Sequence, residues 1–299
     1  MVLSGSITTE KFARHDSGQL GGGMKPATFD YKNPADLTET LSELATGPGF
    51  NKILAGSQSL GPMMNLRLAQ PDRLIDIREL DALKRVVQTA DNLFIGAMVT
   101  HANIEDGALP DVTKGMMVHV ASGIAYRAVR NRGTIGGSLA HADPAGDWPT
   151  ALLALGAQVV INGPDGTREL DISEFQIGPF TVALEDNEVL CGVRVPNMSD
   201  AARWGYYKVC RKPGEFAQSI GAFVSDPQLG IARLVLGATD GAPIELNNLA
   251  STISNSTGVG FGIEAARTAL VETGGTFEPF KERMHALALH RAVARAYET

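Results

Sequence analysis

The stretch Arg130-Asn131-Arg132-Gly133-Thr134-Ile135-Gly136-Gly137-Ser138-Leu139, continuing as Ala140-His141-Ala142-Asp143-Pro144-Ala145-Gly146-Asp147, sets glycines among small hydroxyl residues just ahead of an acidic one. Such residues let successive backbone N–H groups point into one concavity, which holds a diphosphate without formal positive charge. Taken alone, residues 131–139 read equally well as a glycine-rich loop that only makes a tight turn. Asp147 would accept hydrogen bonds from ribose or ribityl hydroxyls, as an ionised carboxylate does. It would equally N-cap a helix starting near Thr150.

About 80 positions upstream, Ala55-Gly56-Ser57-Gln58-Ser59-Leu60-Gly61 repeats this chemistry directly after an apolar strand, Lys52–Ala55. Two such loops suit an extended diphosphate ligand held between two subdomains. Around them the chain reads as α/β. Asp36 is a helix N-cap ahead of Leu37, Leu41 and Leu44, and Arg73–Ile77 is a strand. Val86–Gln88 and Leu93–Ala97 form a hairpin, and a helix runs through Ile104. Val118–Val129 has helical spacing, and Asn65–Leu68 is helical or irregular. Thr150–Leu155 is helix, with strands at Ala157–Asn162 and Val189–Val195. Beyond a boundary near Asn197–Asp200, strands at Tyr206–Val209, Ala217–Val224 and Ala232–Leu236 precede helices at Gly262–Val271 and Arg283–Tyr297. The last of these reads as an amphipathic surface helix. Residues 1–23 lack an apolar signal core and read as a tag, an upstream start or a disordered leader before Met24.

Composition narrows the class. A net charge of −7 over 299 residues argues against nucleic acid or anionic membrane as partner, since both demand clustered Lys and Arg. No apolar run reaches the roughly 20 residues of a membrane span. Cys191 and Cys210 are too few for a disulfide framework or an iron–sulfur cluster, and read as buried thiols in a reducing, cytoplasmic setting. The Gly-Lys of a nucleotide P-loop, H-E-x-x-H, C-x-x-C and a G-x-S-x-G elbow are all missing from the sequence, and the histidines are scattered. No catalytic residue and no metal ligand is therefore assigned.

Four segments in order carry a resemblance: residues 55–60, Leu-Ile-Asp-Ile at 74–77, Ile-Gly-Ala-x-x-Thr-His at 95–101, and 130–147. Together they resemble the medium, FAD-binding subunit of the xanthine dehydrogenase and carbon monoxide dehydrogenase (molybdenum hydroxylase) family, over nearly all of Met24 to Thr299. The resemblance implies an α+β fold. A two-subdomain FAD-binding domain of the vanillyl-alcohol-oxidase (PCMH-type) class would occupy 24–199, split near 80, with a smaller α+β domain at 200–299.

By the same resemblance Ala55, Gly56, Ser57, Gln58, Ser59 and Leu60, with Thr134, Gly136, Gly137 and Ser138, would cradle the FAD diphosphate. Thr100 and Asp147 would meet the cofactor's polar chain, and Leu190 and Lys208 would lie near the isoalloxazine, with Tyr206 or Tyr207 flanking the ring. A lysine there stabilises negative charge on reduced flavin; the alternative reading of Lys208 is a solvated strand residue. Ser57 stands where the family has a second glycine, which makes positive φ harder to reach, and Glu215 replaces an Asp common before the aromatic. The resemblance further implies a large molybdenum-cofactor subunit, a small subunit with two 2Fe–2S clusters, and a dimer of heterotrimers. In it electrons pass through FAD to an external acceptor. The rival functions are a stand-alone flavin oxidase of the same cofactor class and a non-catalytic scaffold.

Overall fold

The computed structural model describes residues 25–298 except 274 and 276; the leader or tag assigned to residues 1–23 lies outside the described residues. The described residues open with a parallel unit: β1 (Asp30–Lys32), α1 (Leu37–Thr46), β2 (Asn51–Leu54), α2 (Leu60–Asn65) and β3 (Arg73–Asp76), with strand order β1-β3-β2. Parallel strands of one sheet need crossovers: α1 lies between β1 and β2, and α2 between β2 and its neighbour β3. Asp36 caps that helix as its sequence predicts, accepting from the Glu39 N–H at 2.8 Å while the Glu39 carboxylate takes the Ala35 N–H. Of the stretch Asn65–Leu68, read as helical or irregular, only Asn65 is helical: α2 starts at Leu60, straight out of the glycine loop, and the chain is irregular beyond it.

The middle of the chain adds β4 (Val86–Gln88), β5 (Asn92–Gly96), α3 (His101–Glu105), α4 (Met116–Ser122), α5 (Arg127–Arg130), α6 (Ile135–His141) and α7 (Asp147–Leu155). It continues with β6 (Gln158–Gly163), β7 (Gly166–Asp171), α8 (Ile172–Phe175), the short β8 (Gln176–Gly178) and β9 (Thr181–Val182), and β10 (Val189–Pro196). Its antiparallel sheet runs β4-β5-β10-β6-β7. The single helix read over 118–129 is two, because the chain turns at Gly123 and Ala125 takes φ +43°.

The glycine-rich stretch read as loop is also largely helical. Thr134 accepts the Gly137 N–H at 3.0 Å, and a capped N-terminus offsets the poor helix propensity of Gly136 and Gly137. The main core surrounds α7, whose nine residues are all buried around Trp148, between this sheet and the later strands at Ser219–Asp226 and Ile231–Gly237.

The last third forms β11 (Arg203–Val209), β12 (Ser219–Asp226), β13 (Ile231–Gly237) and β14 (Ile244–Glu245) as an antiparallel meander in that order, then α9 (Asn247–Asn255), α10 (Ile263–Glu272) and α11 (Pro279–Tyr297). Helix α11 is amphipathic, with Arg283 and Arg291 exposed on one face. Ala288, Leu289, Ala292, Val293 and Ala296 are buried against the sheet. The helix comes this close because Gly205 and Gly221 lack side chains: a Cβ there would meet the Ala292 and Ala288 carbonyl oxygens at 1.9 and 2.2 Å. Cys191 and Cys210 are free and half-buried rather than buried.

Candidate functional site

The loop after β2 is built to present donors. Ser57 sits at φ +62°, so the glycine expected at this position is not required for the left-handed turn. Among the described residues, no protein acceptor takes the backbone N–H groups of Ser57, Gln58, Ser59 or Leu60, and Ser59 gives no side-chain cap to α2. A run of unpaired N–H groups around one left-handed residue is an anion-binding nest. The Ser57 and Ser59 hydroxyls, both half-buried, likewise have no partner among the described residues. The Gln58 side chain is spent on its own turn, donating to the Gly56 carbonyl at 2.9 Å.

The second loop packs directly on the first. A Cβ on Gly56 would meet the Arg132 carbonyl oxygen at 2.0 Å, and one on Gly137 would lie 3.7 Å from the Ala55 methyl. A Cβ on Gly136 would strike Ala97 at 2.4 Å. Gly56 and Gly136 are therefore there for close approach, and with Gly137 in ordinary contact with Ala55 the loops at 55–60 and 134–138 lie side by side. Thr100 and Thr134 pair as an isolated β-bridge, and each caps a helix with its hydroxyl, Thr100 receiving the Asn103 N–H at 3.2 Å. Their hydroxyls hold α3 and α6 in place rather than standing free. The Ser138 hydroxyl on α6 is half-buried and unpartnered among the described residues.

Beneath these loops His101 is 5 % exposed and accepts the Trp148 indole N–H on Nδ1 at 3.1 Å. Burial pushes its pKa down to about 4, with the Arg130 charge adding to the shift. Its neutral ring packs under Gly133, where a Cβ would lie 2.9 Å from the His101 Cδ2.

A second cluster joins the middle of the chain to its last third. Asp147 is the first residue of α7, with Gly146 in the capping position, so its carboxylate is no N-cap. One oxygen accepts the Tyr206 hydroxyl at 2.7 Å and the other the Lys208 ammonium at 2.8 Å. The Asp147 and Lys208 side chains are 7 % and 11 % exposed. Burial pushes the Asp147 carboxyl up, against the pull of the Lys208 charge and the two hydrogen bonds, and burial also holds the Tyr206 hydroxyl well above its ordinary value. Lys208 is thus a buried ion-pair partner and no solvated strand residue.

Tyr206, 3 % exposed, spends its hydroxyl on Asp147 and offers no free ring face, which corrects its expected flanking role. Tyr207 lies on the opposite strand face, under the Arg295 guanidinium at 4.8 Å. Leu190 is buried in the main core at a bulge in β10.

Beside Gly56 and Thr100 opens a cavity of about 440 Å³ whose apolar wall includes Val86, Met98 and Leu109 and whose cations are Arg78, Lys84 and Arg132. Sequence reasoning missed these residues, which are scattered over 55 positions with no motif to flag them. Arg78 is committed to Asp76 and Lys84 to Asp81. Arg132 has no acidic partner among the described residues.

The family described as the FAD binding domain in molybdopterin dehydrogenase matches residues 27–198. The caffeine dehydrogenase subunit beta of Pseudomonas sp. (strain CBB1) is 35% identical, over 76% of this chain and 78% of its own length. The carbon monoxide dehydrogenase medium chain of Hydrogenophaga pseudoflava is 33% identical, over 87% and 90%. A solved structure of carbon monoxide dehydrogenase from the same organism superposes with a TM-score of 0.80 at 31% identity, covering 91% of this chain and 98% of that one. The nest, the glycine contacts and the free serine hydroxyls fit the diphosphate of FAD, and the fold has the two-subdomain, PCMH-type form expected of such proteins. The chain therefore belongs to the FAD-binding subunits of the molybdopterin dehydrogenases, oxidoreductases of the carbon monoxide and xanthine dehydrogenase kind, with FAD as its cofactor.

Proposed function

We propose that this chain is the electron-transfer subunit of a cytoplasmic molybdenum hydroxylase, working beside a large molybdenum-cofactor subunit and a small subunit with two 2Fe–2S clusters, in a dimer of heterotrimers. Bound FAD supplies the redox chemistry that joins the clusters to an external acceptor. What this chain does is bind, orient and polarise. The N–H groups of residues 57–60 and the hydroxyls of Ser57, Ser59 and Ser138 hold the diphosphate, while Ala55, Gly56, Gly136 and Gly137 allow the two loops to close on it. Gln58 and Leu60 shape the first loop. Thr100 and Thr134 fix the helices behind it, and the unpaired Arg132 adds positive charge at its edge. Lys208, held by Asp147, presents a fixed cation to the ring, Leu190 lies on the ring's apolar side, and Tyr206 acts through Asp147 alone. The domain division at 24–80, 81–199 and 200–299 is part of the same proposal, and the three main sheets support it.

The observation that carries this reading is the unsatisfied N–H row at 57–60, in a loop whose first residue, Ala55, lies against Gly137. No described helix is long and apolar enough to cross a membrane. The test is an ultraviolet–visible spectrum of the chain purified alone and again with its neighbours. About one FAD per chain in both, with iron–sulfur absorption only in the second, supports the proposal. Bleaching by an organic substrate in the isolated chain would instead identify a stand-alone oxidase, and absence of flavin from both a scaffold.

A further inference from the structure

Strand β11 alternates, so Tyr206 and Lys208, two residues apart, share the face toward α7 while Tyr207 faces α11. Both residues reach the same carboxylate, that of Asp147, across 59 and 61 positions of sequence. The Tyr206 backbone is itself anchored, since Arg295 of α11 donates to its carbonyl at 2.8 Å. Its ring is held by the His119 imidazole, edge-on at 6.1 Å.

Lys208 donates to Asp147 and, at 3.3 Å, to the Gly123 carbonyl. An ammonium has three N–H groups, so one is left over. A carboxylate held by Lys208 alone would be free to rotate about its Cβ–Cγ bond and let the ammonium drift. The buried Tyr206 hydroxyl removes that freedom.

We propose that Tyr206 is a positioning residue: it locks one oxygen of Asp147 so that the other fixes the Lys208 ammonium, with its third N–H presented to a carbonyl oxygen of the bound flavin ring. This rests on the FAD reading of the site. Tyr206 makes no contact with the flavin that matters to redox poise; its effect passes entirely through Lys208.

The test uses the full-length, flavin-loaded chain and variants Y206F, K208M and Y206F/K208M. The readout is the ratio of reduced to oxidised flavin at a fixed redox-dye potential, taken with flavin content and thermal midpoint. Y206F is expected to keep its flavin and shift the ratio toward oxidised by roughly three- to tenfold, a fraction of what one charge-assisted hydrogen bond is worth. K208M shifts it further, and the double variant no further than K208M, because both act through one group.

A Y206F ratio equal to wild type, shifts that multiply in the double variant, or loss of flavin from Y206F each overturn the proposal. If Y206F does not fold, Asp147→Asn takes its place. It keeps a carbonyl oxygen for the Tyr206 hydroxyl, and its shift must lie in the same direction and vanish in the K208M background. A wild-type chain that binds no flavin fails the FAD reading itself, a result separate from all of these.

Discussion

Ser57 holds a left-handed conformation at φ +62°, which costs a residue with a Cβ roughly 1–2 kcal/mol. The strain persists because the loop needs its N–H groups turned to one side, and Ser adds a hydroxyl where Gly would add none. Replacing Ser57 by Gly should raise stability by roughly 0.5–1 kcal/mol, part of the relief being lost to the greater freedom of Gly in the unfolded chain. The same variant should weaken FAD binding only by one hydroxyl contact, as thermal melts and FAD titrations would read. Gly56 is the opposite case: its Cβ would stand 2.0 Å from a backbone oxygen that no rotamer change can move aside. Gly56→Ala should force the two loops apart and raise the FAD dissociation constant by tenfold or more, roughly 1.4 kcal/mol or above. A titration showing wild-type affinity would refute the cradle.

Among the elements, two buried histidines tie helices to their neighbours in the neutral form. His101, at the start of α3, accepts the Trp148 indole N–H of α7, and His285 of α11 pairs with the Ser219 hydroxyl of β12 at 2.8 Å. Burial is the main cause holding each at about 4, against an ordinary value of 6.5. The unfolded chain therefore binds these protons more readily than the folded one. The stability they contribute is complete above pH 6.5, is lost as pH falls through 6.5 toward 4, and levels off below. Denaturant midpoints measured across pH 4–7 should fall in that window, and His285→Gln should flatten part of the slope. Helix α11 shows what charge pattern alone leaves out: its alanines face two glycines of the sheet, so small residues mark much of the buried side.

Across the whole molecule, Asp147 is a polar link between the last third of the chain and the middle, which also share one apolar core. Removing one partner of a buried pair leaves the other charge uncompensated, so Asp147→Ala should cost about 3–5 kcal/mol and strand the Lys208 ammonium. Chemical denaturation would measure the loss, and flavin content should fall with it. A variant as stable as wild type would mean the pair is solvated in solution and the shared apolar core alone joins the two sheets.

Strand and turn chemistry were legible from one dimension. Alternating apolar runs bounded by Pro, Asp and Gly located β2, β3 and β10, and the Asp36 cap located α1. The glycine–hydroxyl loops pointed to a diphosphate, because their residue types restrict what the backbone does locally. The 133–138 segment was misread as wholly loop since glycine weighs against helix, and only the Thr134 cap, set by the bridge to Thr100, tips it. Likewise nothing local distinguished an N-capping Asp147 from an ion-paired one, or a ring-flanking Tyr206 from a buried one. The amino-acid sequence by itself determined the cofactor class, the positions of the two loops and most of the strands. The tertiary structure alone decided the Asp147–Tyr206–Lys208 union and the cation-lined cavity, because local pattern encodes backbone preference, whereas the meeting of side chains some 60 positions apart depends on how sheets and helices pack.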